Sequence, residues 1–87
     1  MDAEELLSAV ESGSYRDPAE AMGALAEAVA VINREMVGEP DRKRFRRLVA
    51  HLQRAAASVA AQSGASGFSI SVGVPLGVAV SVEWEHR

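Results

Sequence analysis

The sequence of 87 residues contains no cysteine and only two histidines, His51 and His86, which lie far apart. Without thiols the chain forms neither disulfides nor thiolate metal sites, and two separated imidazoles do not make a zinc cluster. Neither histidine has a nucleophile or a second ligand at a suitable spacing, so the sequence pairs no catalytic groups. We therefore expect no metal, no cofactor and no enzymatic activity.

The N-terminus lacks the basic residues and the apolar run of a secretory signal, and has Asp2, Glu4 and Glu5 instead. The absence of cysteine fits a reducing compartment. The chain has one lysine against eight arginines and is rich in alanine, a usage associated with bacteria of high genomic GC content. We expect a cytoplasmic bacterial protein.

Formal charge is absent from Ala55 to Val82, so a membrane segment must be considered. Pro75 would lie in the middle of such a span, and serines alternate with the apolar residues. β-Branched residues at every second position favour a strand over a helix. A single membrane-spanning helix is therefore disfavoured, and a membrane-active protein that inserts a C-terminal hairpin is the third of our functional alternatives.

The C-terminal stretch shows the periodicity of two strands, over about 67–74 and 78–84. Apolar residues occupy every second position on both sides of Pro75, and Gly77 suits a three-residue hairpin loop with a bulge. A turn centred on Leu76 predicts four cross-strand pairs on one apolar face: Val74 with Val78, Val72 with Val80, Ile70 with Val82 and Phe68 with Trp84.

Three helices precede this hairpin, over about 2–12, 18–37 and 41–63. Acidic capping residues open each of them at Asp2, Asp17 and Asp41, and Pro18 occupies the first position of the second helix. The short connection around Pro40 requires the two long helices to be antiparallel. The sequence therefore predicts an α+β fold: a short N-terminal helix, a long antiparallel helix pair and a C-terminal β-hairpin packed on the helices in two layers, as one domain over 1–87.

Charge is distributed unevenly along the chain. Residues 1–41 carry ten acidic and two basic side chains, whereas residues 42–87 carry seven basic and two acidic ones. The third helix concentrates the basic residues, and five of them form a candidate charged partner face, which we call the basic face: Arg42, Lys43, Arg46, Arg47 and Arg54. A solvated or salt-bridged surface is our first interpretation; an acidic protein partner and then nucleic acid follow.

The predicted hairpin is too narrow for the helices beneath it. Two strands cover roughly 10 Å, whereas two packed helices present nearly twice that width. Its edges also carry no lysine or inward charge. We therefore expect a homo-oligomer that pairs hairpin edges, with a candidate interface formed by Ser69, Ser71, Val78, Val80 and Val82.

The favoured function is a non-enzymatic, self-associating interaction module that serves as an adaptor, regulatory or assembly subunit. The runner-up is a small nucleic-acid-associated regulator that uses the basic helix face over 42–54.

Overall fold

The computed structural model describes residues 2–13, 15, 17–38, 41–73 and 77–83. They form three helices followed by a two-stranded antiparallel sheet, which confirms the predicted α+β fold. The elements are α1 (Ala3–Glu11), α2 (Pro18–Gly38), α3 (Arg42–Ser63), β1 (Gly67–Gly73) and β2 (Gly77–Glu83).

Aspartate side chains satisfy the free amides at the start of each helix. The Asp2 carboxylate accepts a hydrogen bond from Glu5 N at 2.9 Å, and that of Asp17 accepts from Ala19 N at 2.7 Å. Asp41 accepts from the first-turn amides of α3 at 3.0 and 3.1 Å. Each cap stabilises its helix by about 1 kcal/mol, so the sequence positions of these aspartates determine where the helices begin.

Gly64 ends α3 in the left-handed conformation, with φ of 69°. A residue with a Cβ is strained there, so glycine suits this position. The chain then turns directly into β1, which brings the hairpin back along the helices.

The three helices share one apolar core, to which the hairpin adds Val78. Among the described residues, α1 contacts α2 and α3 but neither strand, while α2 contacts β2 but not β1, and α3 contacts both strands. β2 therefore lies against α2. β1 lies on the other side of β2, farther from α2. The largest fully buried side chains are Leu7, Val10, Leu25, Ile32, Leu48, Leu52 and Val59.

The hairpin has a different register from the one predicted. Val72 pairs with Val78, Ile70 with Val80 and Phe68 with Val82, and Gly73 pairs with Gly77. The pairing is therefore centred on position 75, and the predicted centre at Leu76 was wrong. The predicted partners Val74 and Trp84 lie outside the described residues.

The two faces of the hairpin are the same in the predicted and the observed register. Moving the centre by one position changes each partner by two residues, and a shift of two keeps every side chain on the same face. Apolar periodicity thus determines the faces without determining the pairs.

Candidate functional site

A side chain of α2 bonds to the backbone of β2. Asn33 Nδ2 donates to the carbonyl oxygen of Val78 at 3.0 Å, and Val78 N donates to Asn33 Oδ1 at 2.8 Å. The carboxamide thus supplies one donor and one acceptor, as a neighbouring strand would. Val78 is only 6% exposed, so these bonds satisfy backbone groups that would be costly to bury unpaired.

These two bonds also reveal which backbone groups point out of the hairpin. Because both polar groups of Val78 go to Asn33, the Val72–Val78 pair is one that does not exchange bonds between the strands. Hydrogen-bonded and non-bonded pairs alternate along an antiparallel ladder. The outward groups of β2 therefore belong to Val78, Val80 and Val82, and those of β1 belong to Phe68, Ile70 and Val72.

The outer edge of β1, formed by Phe68, Ile70 and Val72, has no neighbouring strand, since the sheet contains β1 and β2 alone in the described chain. Phe68 is 39% exposed and Val72 is 57% exposed, and they are the two large apolar side chains that the described residues leave exposed. Ile70 between them is half-buried against the core. An unpaired backbone edge thus coincides with exposed apolar surface.

The residues predicted for the oligomer interface have different exposures. Ser69 and Ser71 are exposed on the face of the hairpin opposite the helices, which they share with Ala79 and Ser81. On this face Ser69 Oγ and Ser81 Oγ are 2.7 Å apart in a hydrogen bond. Val80 and Val82 are half-buried. Val78 is buried, and its backbone groups are bonded to Asn33, so it offers no open edge. The sequence did not predict a role at the two edges for Asn33, Phe68, Ile70 or Val72.

Glu11, at the end of α1, pairs with two basic side chains of α3. Its carboxylate lies 3.0 Å from His51 Nε2 and 3.4 Å from Arg54 Nε. Ser58 Oγ also donates to the Glu11 carbonyl oxygen, at 3.2 Å. Arg54, one of the five residues predicted for the basic face, therefore already forms an ion pair with an acidic side chain of its own chain.

The other four predicted residues of the basic face lie at the start of α3. Arg42, Lys43, Arg46 and Arg47 are exposed, and none of them has an ion-pair partner among the residues that the structure describes. Their neighbour Arg44, in contrast, bonds to Glu35 on α2, with Nη2 2.6 Å from Oε2.

The first turn of α3 contains no acidic residue. Cations at a helix N-terminus oppose the helix dipole, which costs typically 0.3–1 kcal/mol each when exposed. Arg42 and Lys43 lie in this first turn, so their placement does not help α3. Together with Arg46 and Arg47, one turn further along the helix, they form a cationic patch.

No group of three or more histidine or acidic side chains within the described ranges is arranged to hold a metal ion. In the same part of the chain, no helix combines the length and the apolarity needed to cross a bilayer.

Comparisons with known proteins return no relative: no family model, no curated protein and no solved structure matches this chain. The two hairpin edges and the cationic patch are therefore the surfaces from which a function can be argued.

Proposed function

We propose that this chain is a non-enzymatic, self-associating interaction module whose assembly surface is the outer edge of β1. The observation that carries the proposal is the coincidence of unpaired strand backbone with the exposed side chains of Phe68 and Val72. A sheet edge of this kind is a template for another strand.

The lack of edge protection in β1 supports the proposal. Edge strands of monomeric proteins commonly carry lysine, proline, an inward charge or a bulge that prevents pairing. β1 reads GFSISVG, without charge and without proline, and its seven residues pair with β2 without a bulge. A second chain that pairs here would satisfy backbone groups and cover the apolar side chains in one step.

The assembly can be tested by light scattering behind size exclusion at several protein concentrations. We expect a species of twice the chain mass of 9.2 kDa. Val72→Lys places a charge on the outer edge of β1, and Ala79→Lys places the same charge on the opposite, exposed face of the hairpin. We expect the first variant to be monomeric and the second to remain a dimer.

A wild-type chain that stays at 9.2 kDa at the highest concentration would contradict self-association. Equal behaviour of the two lysine variants would show instead that the outer edge of β1 is not the surface that pairs.

The cationic patch supports the proposed role as an adaptor or assembly subunit in a bacterial cytoplasm. Four exposed basic side chains that have no ion-pair partner among the described residues are suited to an acidic protein partner. Arg54 is less available, because Glu11 already neutralises it. The module would thus have one surface for its own copies and another for a different molecule.

Nucleic acid is the second candidate for the cationic patch, because phosphates would also be attracted to four clustered cations. Titration of labelled duplex and single-stranded oligonucleotides at about 50 mM salt tests it, since low salt strengthens phosphate contacts. We expect no binding. The test variant combines Lys43→Glu with Arg47→Glu, and the control is Arg54→Glu, because Arg54 is already paired with Glu11. Tight binding that is lost in the test variant and kept in the control would establish the nucleic-acid alternative instead.

Membrane insertion of the hairpin remains the third alternative. Cosedimentation of the chain with liposomes tests it, and we expect the chain to stay in the supernatant. The Trp84 side chain, which would report insertion by its fluorescence, lies outside the described residues.

A further inference from the structure

The outer edge of β1 is symmetric about its central residue. β1 runs from Gly67 to Gly73, so Ile70 is its midpoint. The exposed side chains of Phe68 and Val72 lie two residues before and two residues after it, on the same face. An edge of this kind is complementary to a second copy of itself rotated by 180°.

We propose that two copies of this chain pair their β1 strands antiparallel about a two-fold axis at Ile70, which gives a closed dimer with the strand order β2–β1–β1–β2. The proposal rests on the self-association proposed above, and adds its partner, register and stoichiometry. Phe68 of each copy then lies opposite Val72 of the second copy, and Ile70 lies opposite its own equivalent.

The neighbouring registers fit the exposed side chains less well. The outward backbone groups of the two β1 strands face each other only if the two-fold axis lies at a residue and not between two residues. The nearest alternatives to Ile70 are therefore Ser69 and Ser71. An axis at Ser69 places Val72 opposite Ser66, which precedes β1 and donates its amide to the Glu83 carbonyl oxygen. An axis at Ser71 places Phe68 opposite a position beyond the last residue of β1. Only the axis at Ile70 covers both exposed side chains and overlaps all seven residues of each strand.

Backbone pairing adds to apolar contact in the proposed dimer. Phe68 and Val72 are already partly covered in one chain, so dimerisation buries only the remainder of each side chain. The proposed register also forms about six hydrogen bonds between the two strands. These bonds help to offset the translational and rotational freedom that two chains lose on association.

Asn33 explains why the assembly closes at two copies. A hairpin with two open edges adds further hairpins on both sides and forms an open array. Here the carboxamide of Asn33 occupies the outward groups of Val78, and α2 lies beside β2. The β2 edge is thus occupied at Val78 and lies beside a helix, whereas the outer edge of β1 has no strand beside it among the described residues. The two-fold pairing uses this edge of β1.

The absence of cysteine allows a direct test of the register. In the proposed dimer Ser69 of one copy faces Ser71 of the second copy as a pair that exchanges no hydrogen bonds, with a Cα separation of about 4.5 Å, which suits a disulfide. Both side chains are exposed on the same hairpin face. The test therefore uses Ser69→Cys and Ser71→Cys as two separate full-length variants.

The two variants are mixed in equal amounts, oxidised gently, and their disulfide-linked products are separated by mass. We expect the mixed 69–71 product to exceed the statistical proportion and both homodimers to fall below it. Ser81→Cys mixed with Ser69→Cys is the matched control, because Ser81 is exposed on the same face but belongs to β2. This control mixture should give only the statistical proportion. Circular dichroism checks that every variant is folded.

Dominance of the 69–69 or the 71–71 product would place the axis elsewhere and overturn the proposal, as would statistical proportions in both mixtures. Light scattering on the unmodified chain tests self-association separately from the register. A dimer without the 69–71 preference leaves self-association standing and rejects this register, whereas a monomer rejects both. Species larger than a dimer would reject closure by Asn33.

Discussion

The two edges of the hairpin differ in what lies beside them. On β2, the outward groups of Val78 bond to Asn33, and the Val78 side chain is buried. On β1, the outward groups have no strand beside them in the described part of the chain, and Phe68 and Val72 are exposed. One carboxamide from a helix thus satisfies the outward groups of Val78, whereas those of β1 would need a further strand. The placement of a single polar side chain therefore makes the two edges of one hairpin unequal.

The largest effect should come from removing this carboxamide. Asn33→Ala leaves the N–H and the carbonyl oxygen of buried Val78 without partners, and each unsatisfied group costs about 1–3 kcal/mol. Two such groups would cost about 2–6 kcal/mol. Because both bonds are only part-buried, we expect the free energy of unfolding, measured by urea denaturation at fixed protein concentration, to fall by about 2–4 kcal/mol.

The same variant should also form assemblies larger than a dimer, because the outward groups of Val78 are then free to bond to a further strand. The control is Arg34→Ala, which truncates the next and exposed side chain of α2 and should change neither property. An unchanged stability of Asn33→Ala would contradict the role assigned to the carboxamide.

An intermediate effect should come from proline on each edge. Val72→Pro and Val82→Pro both remove an amide that points away from the other strand, so both are compatible with the hairpin. We expect Val72→Pro to weaken dimerisation at least tenfold, because it removes two of the six proposed ladder bonds, one from each copy, and blocks close approach. Val82→Pro should leave the dimer intact. Sedimentation equilibrium measures both constants, and a greater loss with Val82→Pro would assign pairing to β2.

The smallest effect should come from a site distant from both edges. Glu11→Gln removes the charge that pairs with Arg54 and that lies 3.0 Å from His51 Nε2; the Arg54 pair is partly exposed. Such a pair contributes about 0.2–1 kcal/mol, so we expect a modest loss of stability in urea denaturation and no change in the dimer constant. A change in dimerisation would show that the helices, and not the hairpin edge alone, take part in pairing.

Local chemistry made much of the fold predictable. Asp2, Asp17 and Asp41 cap helices at the predicted starts, and α3 ends at the predicted position 63, before Gly64. The alternation of apolar residues also identified both faces of the hairpin. Each of these signals acts within a few residues of the chain, so the sequence contains it directly.

The remaining features depend on contacts between distant segments. The register escaped prediction because shifts of two residues preserve the faces, and Gly73 pairs with Gly77 instead of leaving Gly77 in the loop. Asn33 carries no local signal, since its partner lies 45 positions away. The engagement of Arg54 likewise depends on how α1 lies against α3. The candidate surfaces could therefore be predicted as regions but not residue by residue.

The separation of 45 positions between Asn33 and Val78 orders events in time as the protein is made. Synthesis proceeds from the N-terminus, so α2 is complete well before β2 leaves the ribosome. A hairpin forms in microseconds once its strands are free, and until α2 docks beside it both of its edges are open. Newly made chains thus pass through a short interval in which they can add to one another on either side. The yield of refolding should consequently fall as protein concentration rises, because encounters between chains then compete with docking within one chain.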